Sequence, residues 1–151
     1  MEHKSINKAL REAGGDISKI ADEDIKETAK AIDSAVNKFQ TQYKTIVYRG
    51  LYGVKKISEW KVGDIIPERS FTSTSIKKEV AEEFTKIGKN KEYRVVVKID
   101  VPAKYNSVVM KYDDLTTFDK QYELLLKKGT SLSIKSIEKQ EEYWYITAEV
   151  I

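Results

Sequence analysis

Apolar residues in the first third of the chain recur at helical spacing. Ile6, Ala9, Leu10 and Ala13 fall on one side of a helix, and Gly14-Gly15 provide a stop. Asp22 is placed to cap a second helix, whose stripe runs Ile25, Ala29, Ile32, Val36 and Phe39. From Thr45 the period shortens to two. Strands are predicted over Thr45–Arg49, Ser70–Ser75, Tyr93–Val101, Ser107–Lys111, Gln121–Lys127, Ser131–Ile137 and Tyr143–Ile151. One helix interrupts them, Lys77 to Ile87, with Val80, Ala81, Phe84 and Ile87 on one face. The late strands follow one another without intervening helices. That order predicts an α+β domain with an antiparallel-rich β core and N-terminal helices, not a series of βαβ units. Lys86–Lys91 and Lys111–Lys120 read as the principal exposed loops.

A length of 151 residues suits one domain with one core, so residues 1–151 read as a single domain. Its helical part is 1–43 and its mainly β part 44–151. No apolar run approaches the roughly 20 residues of a membrane span. The start, Met1-Glu2-His3-Lys4, lacks the apolar core of a signal peptide. A net charge of +3 permits contact with anions or nucleic acid without requiring it.

Scarcity narrows the chemistry. Cysteine is absent and the one histidine is His3, which removes a thiol nucleophile, a Cys/His zinc site and a Ser–His–acid triad. The seven glycines form neither a dinucleotide fingerprint nor a P-loop. Catalysis would rest on carboxylates, Arg, Ser, Thr, Tyr or backbone groups.

Three segments carry such groups. In Gln121-Tyr122-Glu123 the strand period puts Gln121 and Glu123 on one face, at the mouth of the apolar run Leu124-Leu125-Leu126. In Phe71-Thr72-Ser73-Thr74-Ser75 alternate hydroxyls share a face and can hold a neighbouring carboxylate. Tyr48-Arg49-Gly50 ends a strand with a bidentate fork for phosphate, followed by a residue that admits close approach to the backbone. Taken singly, each also reads as a surface feature: a polar pair on a sheet edge, a strand end with Ser75 capping the next helix, an Arg before a turn.

In this order the three segments resemble the Arg…Ser-Thr-Ser…Gln-x-Glu signature of bacterial exotoxin-type mono-ADP-ribosyltransferases. The resemblance extends to Ile99-Asp100-Val101-Pro102 and to the Gly129-Thr130 turn with its following strand, and so covers most of the chain. Ile6-Asn7-x-x-Leu10-Arg11 is similar to the helical motif of clostridial-type exoenzymes that modify Rho GTPases. Phe118 stands where those enzymes carry an exposed aromatic that grips the protein substrate; burial under the loop is the other reading. Lys86, Lys89 and Lys91 stand where they place an Arg contact to NAD⁺.

The resemblance implies a two-sheet β core of the ADP-ribosyltransferase fold, NAD⁺ as co-substrate and no metal. It implies that Arg49, Asn7 and Arg11 contact the NAD⁺ phosphates. Gly50 would present backbone to the nicotinamide amide and Phe84 would stack on its ring, with Thr74 and Ser75 completing the pocket. Ser73 would orient Glu123, which stabilises the charge that develops as nicotinamide leaves. Gln121 would face the acceptor. Arg-modifying relatives carry Glu there, so Gln points to an Asn or Gln acceptor on a host protein such as a small GTPase. Guanine in nucleic acid and a non-catalytic binding domain are the alternatives. A monomer with side NAD⁺ glycohydrolase activity is expected, acting as a secreted or injected bacterial or phage effector in the host cytosol.

Overall fold

The computed structural model describes residues 4–113 and 120–151. Helix α1 spans Lys4–Glu12 and ends where Gly14 and Gly15 adopt φ of 66° and 85°, the left-handed conformation that glycine tolerates best. The Gly15 amide donates to the Leu10 carbonyl at 2.8 Å, closing the helix end. Helix α2 spans Glu23–Lys38, and the Asp22 side chain accepts from the Ile25 amide at 3.1 Å as its cap. Glu23 and Asp24 in its first turn and Lys38 in its last match the helix dipole. Helix α3 spans Lys78–Thr85, inside the predicted 77–87. Among the described residues no helix is long and apolar enough to cross a membrane.

The strands are β1 Thr45–Leu51, β2 Ile65–Pro67, β3 Thr72–Ser75, β4 Val95–Val101, β5 Ser107–Asp113, β6 Lys120–Leu126, β7 Ser131–Lys139 and β8 Trp144–Val150. They form an eight-stranded sheet in the order β2-β7-β8-β4-β1-β3-β6-β5. Its pairings are antiparallel except β4 with β8, which run parallel. The two expected sheets are two halves of this one. They are joined at β1 and β3 through the single pair Tyr48↔Ser75.

The halves close over one apolar cluster. Val47, Val95, Val97, Ile99, Leu132, Ile134, Ile146 and Ala148 come from one half, and Leu124 and Leu126 from the other. A second cluster lies on the other face of the β3-β6-β5 half. There Phe71 and Leu125 meet Ile6, Leu10, Ala29 and Val36 of the helices. Helix α3 packs instead on β1 and β4.

Three local expectations are corrected. Phe39, predicted as the last core position of the second helix, follows its end and is 57% exposed. Residues 112 and 113, read as loop, extend the predicted strand Ser107–Lys111 into β5. Strand β2 was not predicted; it is three residues long, ends in proline at the sheet edge and is too short to show a period.

Candidate active site

Strand β3 lies between β1 and β6, and Thr72, Ser73, Thr74 and Ser75 are all buried. The sheet itself uses two of their hydroxyls. Thr74 Oγ1 donates to the Leu124 carbonyl at 2.6 Å. Ser75 Oγ accepts from the Lys77 amide at 3.1 Å, at the entry to α3. The β3–β6 register places Ser75 opposite Glu123 and Ser73 opposite Leu125. Ser73 is therefore diagonal to Glu123 on the same face. The Ser73 hydroxyl is buried and makes no hydrogen bond among the described residues, so its expected bond to Glu123 is not formed here. Glu123 is 3% exposed, yet it borders an open cavity of about 470 Å³ that Phe39, Tyr43, Ile76 and Val109 also line.

Helix α1 brings Asn7 to this face. Ser73 shares its side of β3 with Phe71, and Phe71 packs against Ile6 and Leu10, the neighbours of Asn7 along the helix. Asn7 is buried, and its Oδ1 has no hydrogen-bond partner among the described residues. Buried polar atoms without partners are rare, and a ligand site is one reason to keep them.

Arg11 and Arg49 meet at a separate place, around Glu68. Arg11 donates through Nε to both carboxylate oxygens of Glu68 at 3.2 Å, and through Nη2 to Oε1. Arg49 Nη2 donates to the same Oε1 at 3.4 Å. The side chains of Arg49 and Glu68 are 17% and 15% exposed, that of Arg11 47%. Burial alone would push the Glu68 carboxyl up. Hydrogen bonds from Arg11 and Ser70 and the two positive charges outweigh it and bring the group down to about 2. For Arg49, burial lowers the pKa and the Glu68 charge works against it; for Arg11, the hydrogen bond to Glu68 raises it. The cluster opens on a cavity of about 240 Å³ walled by Leu51, Trp60, Val97 and Leu132.

Gly50 and Phe84 lie on the α3 side. Gly50 follows Arg49 on β1, so the two point to opposite faces. A Cβ on Gly50 would stand 2.2 Å from the Ala81 carbonyl oxygen, so glycine here lets α3 approach the strand. The Phe84 ring lies 5.7 Å from that of Tyr52. The backbone of Gln121 is on β6, paired with Tyr112, and Phe118 lies outside the described residues.

The structure thus gathers Asn7, Ser73 and Glu123 on one face and Arg11 with Arg49 around a common anion. Gly50 and Phe84 lie close together where α3 packs on β1. Sequence reasoning missed Glu68. Its partners are 57 and 19 residues away, and Pro67-Glu68-Arg69 reads locally as an ordinary turn.

The helices and sheet thus present an Asn on α1, an Arg on β1 and a buried Ser-Thr-Ser strand beside the strand that carries Glu123. The family model described as ADP-ribosyltransferase exoenzyme matches residues 1–151, and the chain belongs to that family. It is 27% identical over 150 residues to Vis of Vibrio splendidus, which is named as an NAD⁺–arginine ADP-ribosyltransferase; the match covers 99% of this chain and 59% of Vis. The chain therefore spans about three fifths of the length of that relative. The structure of Vis in complex with agmatine superposes with a TM-score of 0.70 at 25% identity, covering 99% of this chain and 68% of that one. C3stau2 from S. aureus, solved with NAD, gives 0.74 at 23% identity over 99% and 81%. C3larvin from Paenibacillus larvae gives 0.71 at 20% over 99% and 82%. The last two bear on the fold alone, and they support the antiparallel-rich α+β architecture.

Proposed function

We propose that residues 1–151 form a single catalytic domain that cleaves NAD⁺ and transfers its ADP-ribose to a side chain of a target protein. The observation that carries this reading is one juxtaposition. The buried Ser-Thr-Ser strand is hydrogen-bonded to the strand bearing Glu123, beneath the helix that carries Asn7. Asn7 Oδ1 and Ser73 Oγ are buried atoms whose hydrogen-bonding capacity a polar ligand could use.

The chemistry asks little of the protein. The bond between the ribose carbon and the nicotinamide nitrogen breaks, and its electron pair leaves with a neutral pyridine, so no general acid is needed. Positive charge develops on the ribose. A carboxylate held in a poorly solvated strand pair stabilises that charge more than it would in water. Glu123 takes this role and Ser73 shapes its surroundings. Arg11, Arg49 and Asn7 hold the diphosphate. Thr74 and Ser75 keep β3 in place, while Gly50 and Phe84 shape the pocket from the α3 side. An acceptor nitrogen then bonds to the ribose carbon and gives up a proton. Where no acceptor is aligned, water takes its place, which gives a side NAD⁺ glycohydrolase activity.

The acceptor is an Asn or Gln side chain, and a small GTPase in the host cytosol fits as its bearer. Gln121 supports this, because an amide can align another amide but cannot act as a base toward a guanidinium. A guanidine acceptor is the second reading, favoured by the similarity to Vis, which is named for arginine and was solved with agmatine. The protein acts as a monomeric effector, secreted or injected, and Phe118 takes part in gripping the target.

Labelled NAD⁺ with a host lysate tests the reading. Label that resists nuclease, yields to protease and is not diverted by added agmatine is expected. Label on agmatine selects the guanidine reading, and label lost to nuclease selects nucleic acid. Gln121→Ala should keep NAD⁺ hydrolysis and lose transfer. A parallel loss of both would place Gln121 in the NAD⁺ site and remove the argument for an amide acceptor.

A further inference from the structure

Glu68 has no part in the chemistry described above, yet it binds both cationic side chains at the mouth of the cavity. Its Oε1 accepts from Arg11 Nη2 and from Arg49 Nη2, so one oxygen bridges two guanidiniums on different elements, α1 and β1. Two like charges in a half-buried place repel, and each lowers the other's tendency to stay protonated; the Arg11 charge acts on Arg49 in this sense. The shared carboxylate offsets that repulsion. It also compensates the burial of Arg49, whose side chain is 17% exposed.

The hydrogen bonds recorded use Nε and Nη2 of Arg11 and Nη2 of Arg49. The Nη1 groups of both make no hydrogen bond among the described residues. A guanidinium has five donors in a fixed plane, so gripping one edge orients the other. The cluster keeps a net charge of +1 from two arginines and one carboxylate, because the arginines hold the Glu68 carboxyl well below the ordinary carboxylate range.

We propose that Glu68 is a positioning residue: its carboxylate locks Arg11 and Arg49 into one preformed site for a diphosphate, the central group of NAD⁺. The inference rests on the NAD⁺ reading above only for the identity of the ligand that carries the diphosphate. Order imposed before binding lowers the cost of binding, because the arginines need not be immobilised by the ligand.

The sign of one substitution separates this role from its opposite. If Glu68 merely occupied the place of a phosphate, Glu68→Gln would remove a competitor, raise the local charge to +2 and tighten anion binding. As a positioning residue, its loss lets the two guanidiniums separate, and binding weakens by about tenfold or more. The experiment is calorimetric titration of wild type, Glu68→Gln and Glu68→Asp with inorganic pyrophosphate and with NAD⁺, paired with NAD⁺ hydrolysis kinetics.

Weaker binding of both ligands by Glu68→Gln is expected, with a raised KM, a kcat within a few-fold of wild type and partial rescue by Glu68→Asp. Equal or tighter binding by Glu68→Gln overturns the proposal, and so does a fall in kcat at unchanged KM. Should Glu68→Gln fail to fold, Glu68→Asp carries the test, with intermediate affinity expected and wild-type affinity contradicting. Wild type that binds pyrophosphate but not NAD⁺ defeats the NAD⁺ reading and leaves this one standing; wild type that binds neither defeats both.

Discussion

Arg11 and Arg49 share an ionic partner within the chain, whereas Asn7 Oδ1 and Ser73 Oγ have no hydrogen-bond partner among the described residues. At the cationic end Glu68 supplies an anion of the chain's own, and every charge there has a partner. At the Ser-Thr-Ser end the polar atoms Asn7 Oδ1 and Ser73 Oγ are buried without hydrogen bonds among the described residues. The first end is built to be stable before a ligand arrives. The second holds polar groups that cost stability until something polar reaches them. Binding strength and chemistry should therefore respond to different substitutions.

The largest effect is expected at Glu123. Glu123→Gln keeps the shape of the side chain and removes the charge that meets the developing cation. The turnover number should fall by about 10²–10³-fold, as for loss of one preorganised stabiliser, with NAD⁺ affinity near that of wild type in the same steady-state assay. A variant that loses affinity and keeps turnover would move Glu123 to the binding end.

Acid stability probes the other end. The Glu68 carboxyl is depressed from its ordinary 4.5 to about 2, so the folded state is favoured while Glu68 is ionised. That stabilisation is complete above pH 4.5 and is lost as pH falls from 4.5 through 2. Solvent screens this half-buried group and its exposed partner Arg11, so the contribution is less than the full shift would give, on the order of 1–2 kcal/mol. Glu68→Gln lacks it, so denaturant midpoints measured across this window should fall less steeply for the variant than for wild type. Parallel acid limbs would mean that Glu68 titrates alike in both states.

Gly50 comes next. A Cβ there would stand 2.2 Å from the Ala81 carbonyl oxygen, so α3 must shift or the strand must bend. Gly50→Ala should lower stability by about 1–3 kcal/mol, the usual cost of overpacking, as read from thermal melts. An unchanged melting temperature would show that α3 yields freely.

The smallest effect on stability belongs to Ser73. Ser73→Ala removes a buried hydroxyl that makes no hydrogen bond among the described residues, so stability should change by less than about 1 kcal/mol. NAD⁺ turnover should nevertheless fall. A loss of stability with unchanged turnover would make Ser73 a packing residue.

Much of this arrangement is legible in the sequence because its determinants are local. The Asn7 and Arg11 spacing, the Gly14-Gly15 stop, the Asp22 cap and the hydroxyl strand before α3 are all set within a few residues. What escapes reading is long-range. The pairing of Glu68 with Arg11 and Arg49 needs the approach of α1, β1 and the end of β2, which no periodicity announces. The parallel pairing of β4 with β8 depends on where the chain returns, not on composition. Gly50 shows a third kind of loss. Its sequence context shows a residue that admits close approach, and only the structure shows that α3 is one of the groups that approaches it. Phe39 continues an apolar stripe past the point where the helix has ended, so periodicity alone assigns it to the core.

The central claim is that the paired arginines bind and Glu123 reacts, and a single curve tests it: nicotinamide release against NAD⁺ concentration for wild type, Glu123→Gln and Arg49→Lys. Wild type should release nicotinamide in a saturable manner. Glu123→Gln should lower the plateau and leave the half-saturating concentration in place. Arg49→Lys, which keeps the charge but loses the planar fork, should raise the half-saturating concentration and spare the plateau. No release by wild type, or the same parameter changed in both variants, would contradict the account.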